Sequence, residues 1–125
     1  MRVWKTKEFS RYARKEKISD TKLCEAIERA ERGLVDAELG GGLIKQRVAR
    51  PGEGRSGGYR TIVAYRSDDR SVFLFGFAKS GKANLSDAEL AVYKQLAAVF
   101  LASPEDELLD LASAGELTEI ECDGD

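Results

Sequence analysis

The sequence predicts an α+β domain: two helices, an antiparallel meander of strands, then further helices. Three observations predict it. Apolar residues recur at helical spacing in two stretches near the N-terminus. Three strand-like runs, Leu43–Ala49, Tyr59–Arg66 and Ser71–Lys79, follow one another across polar or glycine-rich connections. A strong helix-start signature then opens at Ser86.

Taken in order, Val3 and Trp4 suit a short strand or an apolar lead-in. Thr6 is placed to cap a helix in which Phe9, Tyr12 and Ala13 share a face and Arg11, Arg14, Lys15 and Lys17 form a basic one. Ser19 or Asp20 caps a second helix, Thr21 to about Arg32, with Leu23, Ile27, Ala30 and Leu34 in line. Gly33 suits the positive φ wanted just past its end. The run Leu39-Gly40-Gly41-Gly42 reads as a turn into the first strand, since it lacks the spacing of a phosphate-binding glycine loop.

In Leu43–Ala49, period two puts Lys45, Arg47 and Ala49 on one face and Ile44, Gln46 and Val48 on the other. In Tyr59–Arg66, Arg60, Ile62, Ala64 and Arg66 share a face, opposite Tyr59, Thr61, Val63 and Tyr65. The connection Arg50–Gly58 holds four glycines and a proline, and long loops in small domains often carry function. Ser71–Lys79, SVFLFGFAK, is apolar on both faces and reads as a central strand. Ser86 and Glu89 form a capping box, with Leu85 and Leu90 as its hydrophobic staple. That helix runs to about Ala102. Ser103-Pro104 starts another, with Pro104 at its first helical position, and Gly115 ends it. Residues 116–121 form a last edge strand. The whole, 1–125, reads as one domain with an acidic C-terminal extension, 103–125.

Charge is sharply divided. The net charge is −2, yet residues 1–82 carry 19 Lys/Arg against 11 Asp/Glu, and residues 83–125 carry one Lys against 11 Asp/Glu. Leu43–Arg66 alone holds six basic residues and one acid. Such a cationic excess on strands is the pattern of a surface that meets phosphates. Arg66, beside Asp68 and Asp69, suits a surface ion pair instead. Histidine is absent, and two isolated cysteines make no zinc spacing. No metal or other cofactor is expected, and chemistry falls to Lys, Arg, Tyr or carboxylates. No apolar run has the roughly 20 residues of a membrane helix, and no export signal opens the chain. A cytoplasmic protein with Cys24 and Cys122 as reduced thiols is the expectation.

The segments FSRYARKEKISDTKLCEAI, AELGGGLIKQRVARPGEGRSGGYRTIVAY and FLFGFAKSGKANLSDAEL together resemble the RelE/ParE superfamily of toxins from type II toxin–antitoxin modules. The likeness is strongest to RelE-like toxins of the HigB type. It implies two N-terminal helices packed on a twisted antiparallel sheet, followed by C-terminal helices. It also implies a metal-free endoribonuclease, an mRNA interferase that cuts mRNA in the ribosomal A site. By position, Lys45, Arg47, Arg60 and Lys79 match the family's basic catalytic residues.

Ser80 stands where RelE has an arginine, and Lys82 is the substitute two residues on. The family's C-terminal tyrosine has no matched counterpart, and Tyr93 lies on an apolar stripe that suits the core. Arg50, Arg55, Tyr59 and Lys82 are the expected RNA-binding residues, Tyr59 either stacking on a base or packing inside. The implied partners are an antitoxin of the helix-turn-helix type, mRNA on the ribosome, operator DNA only through the antitoxin complex, and no membrane. A ParE-like inhibitor of DNA gyrase, or a protein that only binds antitoxin, would use the same scaffold.

Overall fold

A computed structural model describes residues 1–49, 58–78 and 85–122. The elements are β1 (Arg2–Thr6), α1 (Lys7–Glu16), α2 (Asp20–Glu31), β2 (Ala37–Gly40), β3 (Leu43–Val48), β4 (Tyr59–Arg66), β5 (Arg70–Ala78), α3 (Asp87–Ala102), α4 (Glu105–Ser113) and β6 (Leu117–Ile120).

Local chemistry sets the helix ends. Thr6 Oγ1 accepts the Phe9 N–H at 3.1 Å and opens α1. Ser19 does the same for α2, and Gly33 follows its end at φ +83°. At α3 the capping box closes both ways: Glu89 N–H donates to Ser86 Oγ at 3.1 Å, and Ser86 N–H donates to Glu89 Oε1 at 2.9 Å. The α3 C-terminus is capped by the buried Arg70, whose Nη1 donates to the carbonyls of Phe100 (2.7 Å) and Ser103 (2.6 Å). Pro104 sits one place earlier than expected, at the N-cap of α4, because its ψ of 151° is extended and helical geometry begins at Glu105.

Among the described residues six strands form one sheet in the order β2-β3-β4-β5-β1-β6. The meander β3-β4-β5 is antiparallel, as the sequence implies. The N-terminal strand adds a feature that periodicity does not encode. β1 runs parallel to β5, and β6 pairs antiparallel on its other side. The glycine turn is also shorter than expected. Ala37–Gly40 is a strand that hairpins onto β3, with Gly40, Gly41 and Gly42 all at positive φ. A Cβ on Gly42 would lie 2.5 Å from Leu101 Cδ1, so this turn presses against α3.

Helices cover both faces. α1 and α2 lie over Val3, Ile44, Val48, Val63 and Phe73. α3 and α4 lie over Trp4, Leu43, Ile62, Ala64, Val72 and Leu74. Gly76 permits the approach of α1, since a Cβ there would meet Tyr12 Cε2 at 2.4 Å. The edge strand β6 is tied to β1 by a bidentate pair, Arg2 to Glu119 at 2.7 and 2.8 Å, and Arg2 also reaches Glu105 at 3.1 Å.

The cysteines differ from expectation. Cys24 and Cys122 are joined in a disulfide, with Cα atoms 5.5 Å apart. Their separation in sequence hid this. The fold brings them together because α2 packs on the same sheet face as Val3 of β1 and Ile120 of β6, and Cys122 stands two residues past the end of β6.

Candidate functional site

The site begins with strand register. Arg47 on β3 stands directly across from Arg60 on β4, and Lys45, two residues along, stands across from Ile62. Alternation places Lys45, Arg47 and Arg60 on the same face as Leu43, Ile62 and Ala64, the face that α3 and α4 partly cover. Lys45 lies where that cover begins, lining a cavity with Leu39, Ile62, Leu85 and Leu90. Three cations from two adjacent strands therefore share one surface.

Two arginines directly opposite each other repel, and such pairs destabilise a sheet. Burial, and then the Arg47 charge, push the Arg60 pKa down, while Asp36 opposes them. Arg60 stays a guanidinium in the physiological range. Asp36 offsets part of this repulsion, since its carboxylate lies 3.4 Å from the Arg47 guanidinium.

Arg47 is held by a set of polar side chains that the sequence reading passed over. β2 pairs with β3 only as far as Lys45, which leaves the β3 edge open at Arg47. Asp36 fills that edge: Arg47 N–H donates to its Oδ2 at 2.6 Å, and the Arg47 guanidinium lies 3.4 Å from its Oδ1. Arg29 of α2 donates to the Arg47 carbonyl. Two side chains of opposite sign thus take the place of a neighbouring strand. Asp36 is itself fixed by Gln46, which is fully buried. Gln46 Nε2 donates to the carbonyls of Ala26 (2.9 Å) and Leu34 (3.0 Å), and its Oε1 accepts the Asp36 N–H at 3.1 Å. A signal existed in the sequence: Gln46 is the polar member of an otherwise apolar inward face, Ile44, Gln46 and Val48.

Other expected residues fall differently. Tyr59 is 3% exposed and lies on the opposite face, beneath α1. Its ring meets Tyr12 edge-on, and its hydroxyl donates to the Glu16 carbonyl at 3.2 Å. It packs in the core and is not on the surface that carries the arginines, because its position in β4 has the opposite parity to Arg60. Arg50, Arg55, Lys79 and Lys82 lie outside the described residues. Arg66 makes the ion pair expected of it, Nε to Asp69 Oδ2 at 2.6 Å. Tyr93 stacks on Phe75 with centroids 5.2 Å apart. Burial, with the charges of Glu8 and Glu89, pushes its phenol up to about 12. A phenol is protonated at neutral pH even at its ordinary value, and this shift holds the proton more firmly.

The model of the family described as the RelE toxin of the RelE/RelB toxin–antitoxin system matches residues 1–120. The chain belongs to the RelE toxin family. Toxins of the RelE family pair with an antitoxin and are generally endoribonucleases. The α+β architecture, with a mostly antiparallel six-stranded sheet, is compatible with a RelE-like fold. No curated protein matches the chain. Among the described residues no helix is long and apolar enough to cross a membrane.

Proposed function

We propose that this RelE-family toxin is a ribosome-dependent mRNA endonuclease that works through a metal-free basic site. The observation that carries the reading is the cross-strand pair Arg47–Arg60 with Lys45 beside it on one sheet face. Cleavage of RNA without a metal proceeds by attack of a 2′-oxygen on the adjacent phosphorus. A phosphorane forms, the P–O5′ bond breaks, and a 2′,3′-cyclic phosphate and a 5′-hydroxyl result. Negative charge grows on the non-bridging oxygens, and two guanidiniums offer donors where it develops. Lys45 and Lys79 are the ammonium groups of the proposal, Lys79 by family position alone. Arg50, Arg55 and Lys82 are proposed to hold backbone phosphates rather than to act on the scissile one. No general base is assigned.

The reading places the toxin in the cytoplasm with translated mRNA, held inactive by a helix-turn-helix antitoxin through which the complex meets operator DNA. A reducing cytosol disfavours the Cys24–Cys122 bond, so activity is expected to survive its loss. Mapping transcript 5′ ends after induction tests the proposal. New ends in translated regions are expected, falling about a hundredfold for Arg60→Ala and for Arg47→Ala at unchanged thermal stability. Intact transcripts beside relaxed or broken DNA would replace it with gyrase inhibition.

A further inference from the structure

A second surface, lined by none of the arginines, lies where α3 meets the start of α1 and the end of α4. A groove of about 310 Å³ opens there. Its floor is apolar, with Leu74 from β5, Tyr93, Leu96 and Phe100 from α3, and Leu111 from α4. Its rim carries Glu8 and Glu116 against a single cation, Lys7. Glu8 and Glu89 both lie close enough to Tyr93 to raise its pKa.

The apolar surface continues out of the groove across α3. Leu96 is 38% exposed, and its helical neighbours Val92 and Val99 are 54% and 59% exposed. Between Leu90 and Ala102 the helix carries one charge, Lys94, and that side chain lies along Gly40 and Gly41. Apart from Lys94 and the exposed Gln95 this stretch is apolar on every side, and such a helix is normally buried all round. Here one side faces out.

We propose that this groove and the outer face of α3 dock an amphipathic helix of a partner protein, one with large apolar anchors at i, i+3, i+4 and i+7 and Lys or Arg on both flanks. Shape suits a helix, since apolar anchors on one face of a helix are what a shallow apolar groove receives. Charge selects the basic flanks, which would meet Glu8 and Glu116.

A second copy of this chain fits poorly for two reasons. The fully exposed residues of α1, its most basic helix, are all charged and offer no apolar anchor. Pairing α3 on α3 would bring two acidic rims together. The strip from Ala88 to Ala102 is about 21 Å long and one helix wide, on the order of 200 Å². That is well short of the roughly 800 Å² per side of a stable protein dimer, which also disfavours a second copy, whereas a single helix needs only this strip and binds it weakly.

The test uses the full chain and a fluorescein-labelled peptide of about 18 residues, long enough to hold a helix. Its Leu residues stand at i, i+3, i+4 and i+7, with Lys on either flank, and a control carries Glu in place of each Lys. Anisotropy should show the Lys peptide binding at least about tenfold more tightly than the Glu peptide. Leu96→Asp and Val92→Asp should each abolish binding, with helicity checked by circular dichroism. The double variant Glu8→Gln, Glu116→Gln, which keeps the core intact, should weaken it about fivefold and flatten its salt dependence. Equal binding of both peptides, no binding, or binding untouched by Val92→Asp would overturn the proposal. So would sedimentation showing a dimer that Val92→Asp dissociates, which would assign the face to self-association.

Discussion

Replacing Gln46 with Leu keeps volume and shape but removes the amide that joins three segments. In the native fold it satisfies the Leu34 carbonyl, the Asp36 N–H and one acceptor site on Ala26. Ala26 lies inside α2, so its carbonyl keeps a helical partner. The Leu34 and Asp36 groups lose theirs. A stranded backbone group costs about 1–3 kcal/mol, and both are only partly buried, so the low end applies to each. Leucine removes the burial cost of the amide itself, which offsets part. The sum is about 2 kcal/mol. Urea unfolding followed by the fluorescence of the single, buried Trp4 reads it directly. With a slope of about 1.5 kcal/mol per molar, the midpoint should fall by about 1.3 M.

The same change frees Asp36, so RNA cleavage should drop further than Asp36→Asn alone would lower it. A midpoint within about 0.3 M of wild type, with Asp36→Asn as active as wild type, would refute both the accounting and the claim that Asp36 orients Arg47.

Other outcomes follow from the same structure. Gly76→Ala should destabilise the fold by about 1–3 kcal/mol, read as a lowered thermal midpoint, because its methyl would collide with the Tyr12 ring. Dithiothreitol should lower the midpoint, since a bond closing a separation of 98 residues is worth about 4.7 kcal/mol on chain-entropy grounds. Cys24→Ser should then match the reduced protein and ignore reductant. Acid stability rests partly on two carboxylates. Arg2 holds the Glu119 carboxyl below its ordinary value. Burial pushes the Glu31 carboxyl up, but bonds from Tyr65, the Asp68 N–H and Ser67 outweigh it and leave the pKa lowered. Both groups therefore contribute stability above the ordinary carboxylate pKa, and that contribution is lost as pH falls through the lowered one. Glu31→Gln and Glu119→Gln should each flatten the fall in thermal midpoint between about pH 5 and pH 3.

Local rules were legible in the chain itself. Thr6, Ser19, Ser86 with Glu89, Gly33 and Gly115 mark helix ends because caps act within one turn. The alternation in β3 and β4 puts Lys45, Arg47 and Arg60 on shared faces, because a strand repeats every two residues. What no local rule contains is which strand lies beside which. The parallel insertion of β1 between β5 and β6, the meeting of Cys24 with Cys122, and the burial of Tyr59 beneath α1 depend on contacts between residues far apart in sequence. So does the alignment of Arg47 with Arg60: periodicity gives each its face, but only the register of β3 on β4 makes them opposite. Sequence alone thus determined which side chains carry charge on which face. Tertiary structure decided which of them stand side by side, because proximity across a sheet is a property of pairing, not of spacing.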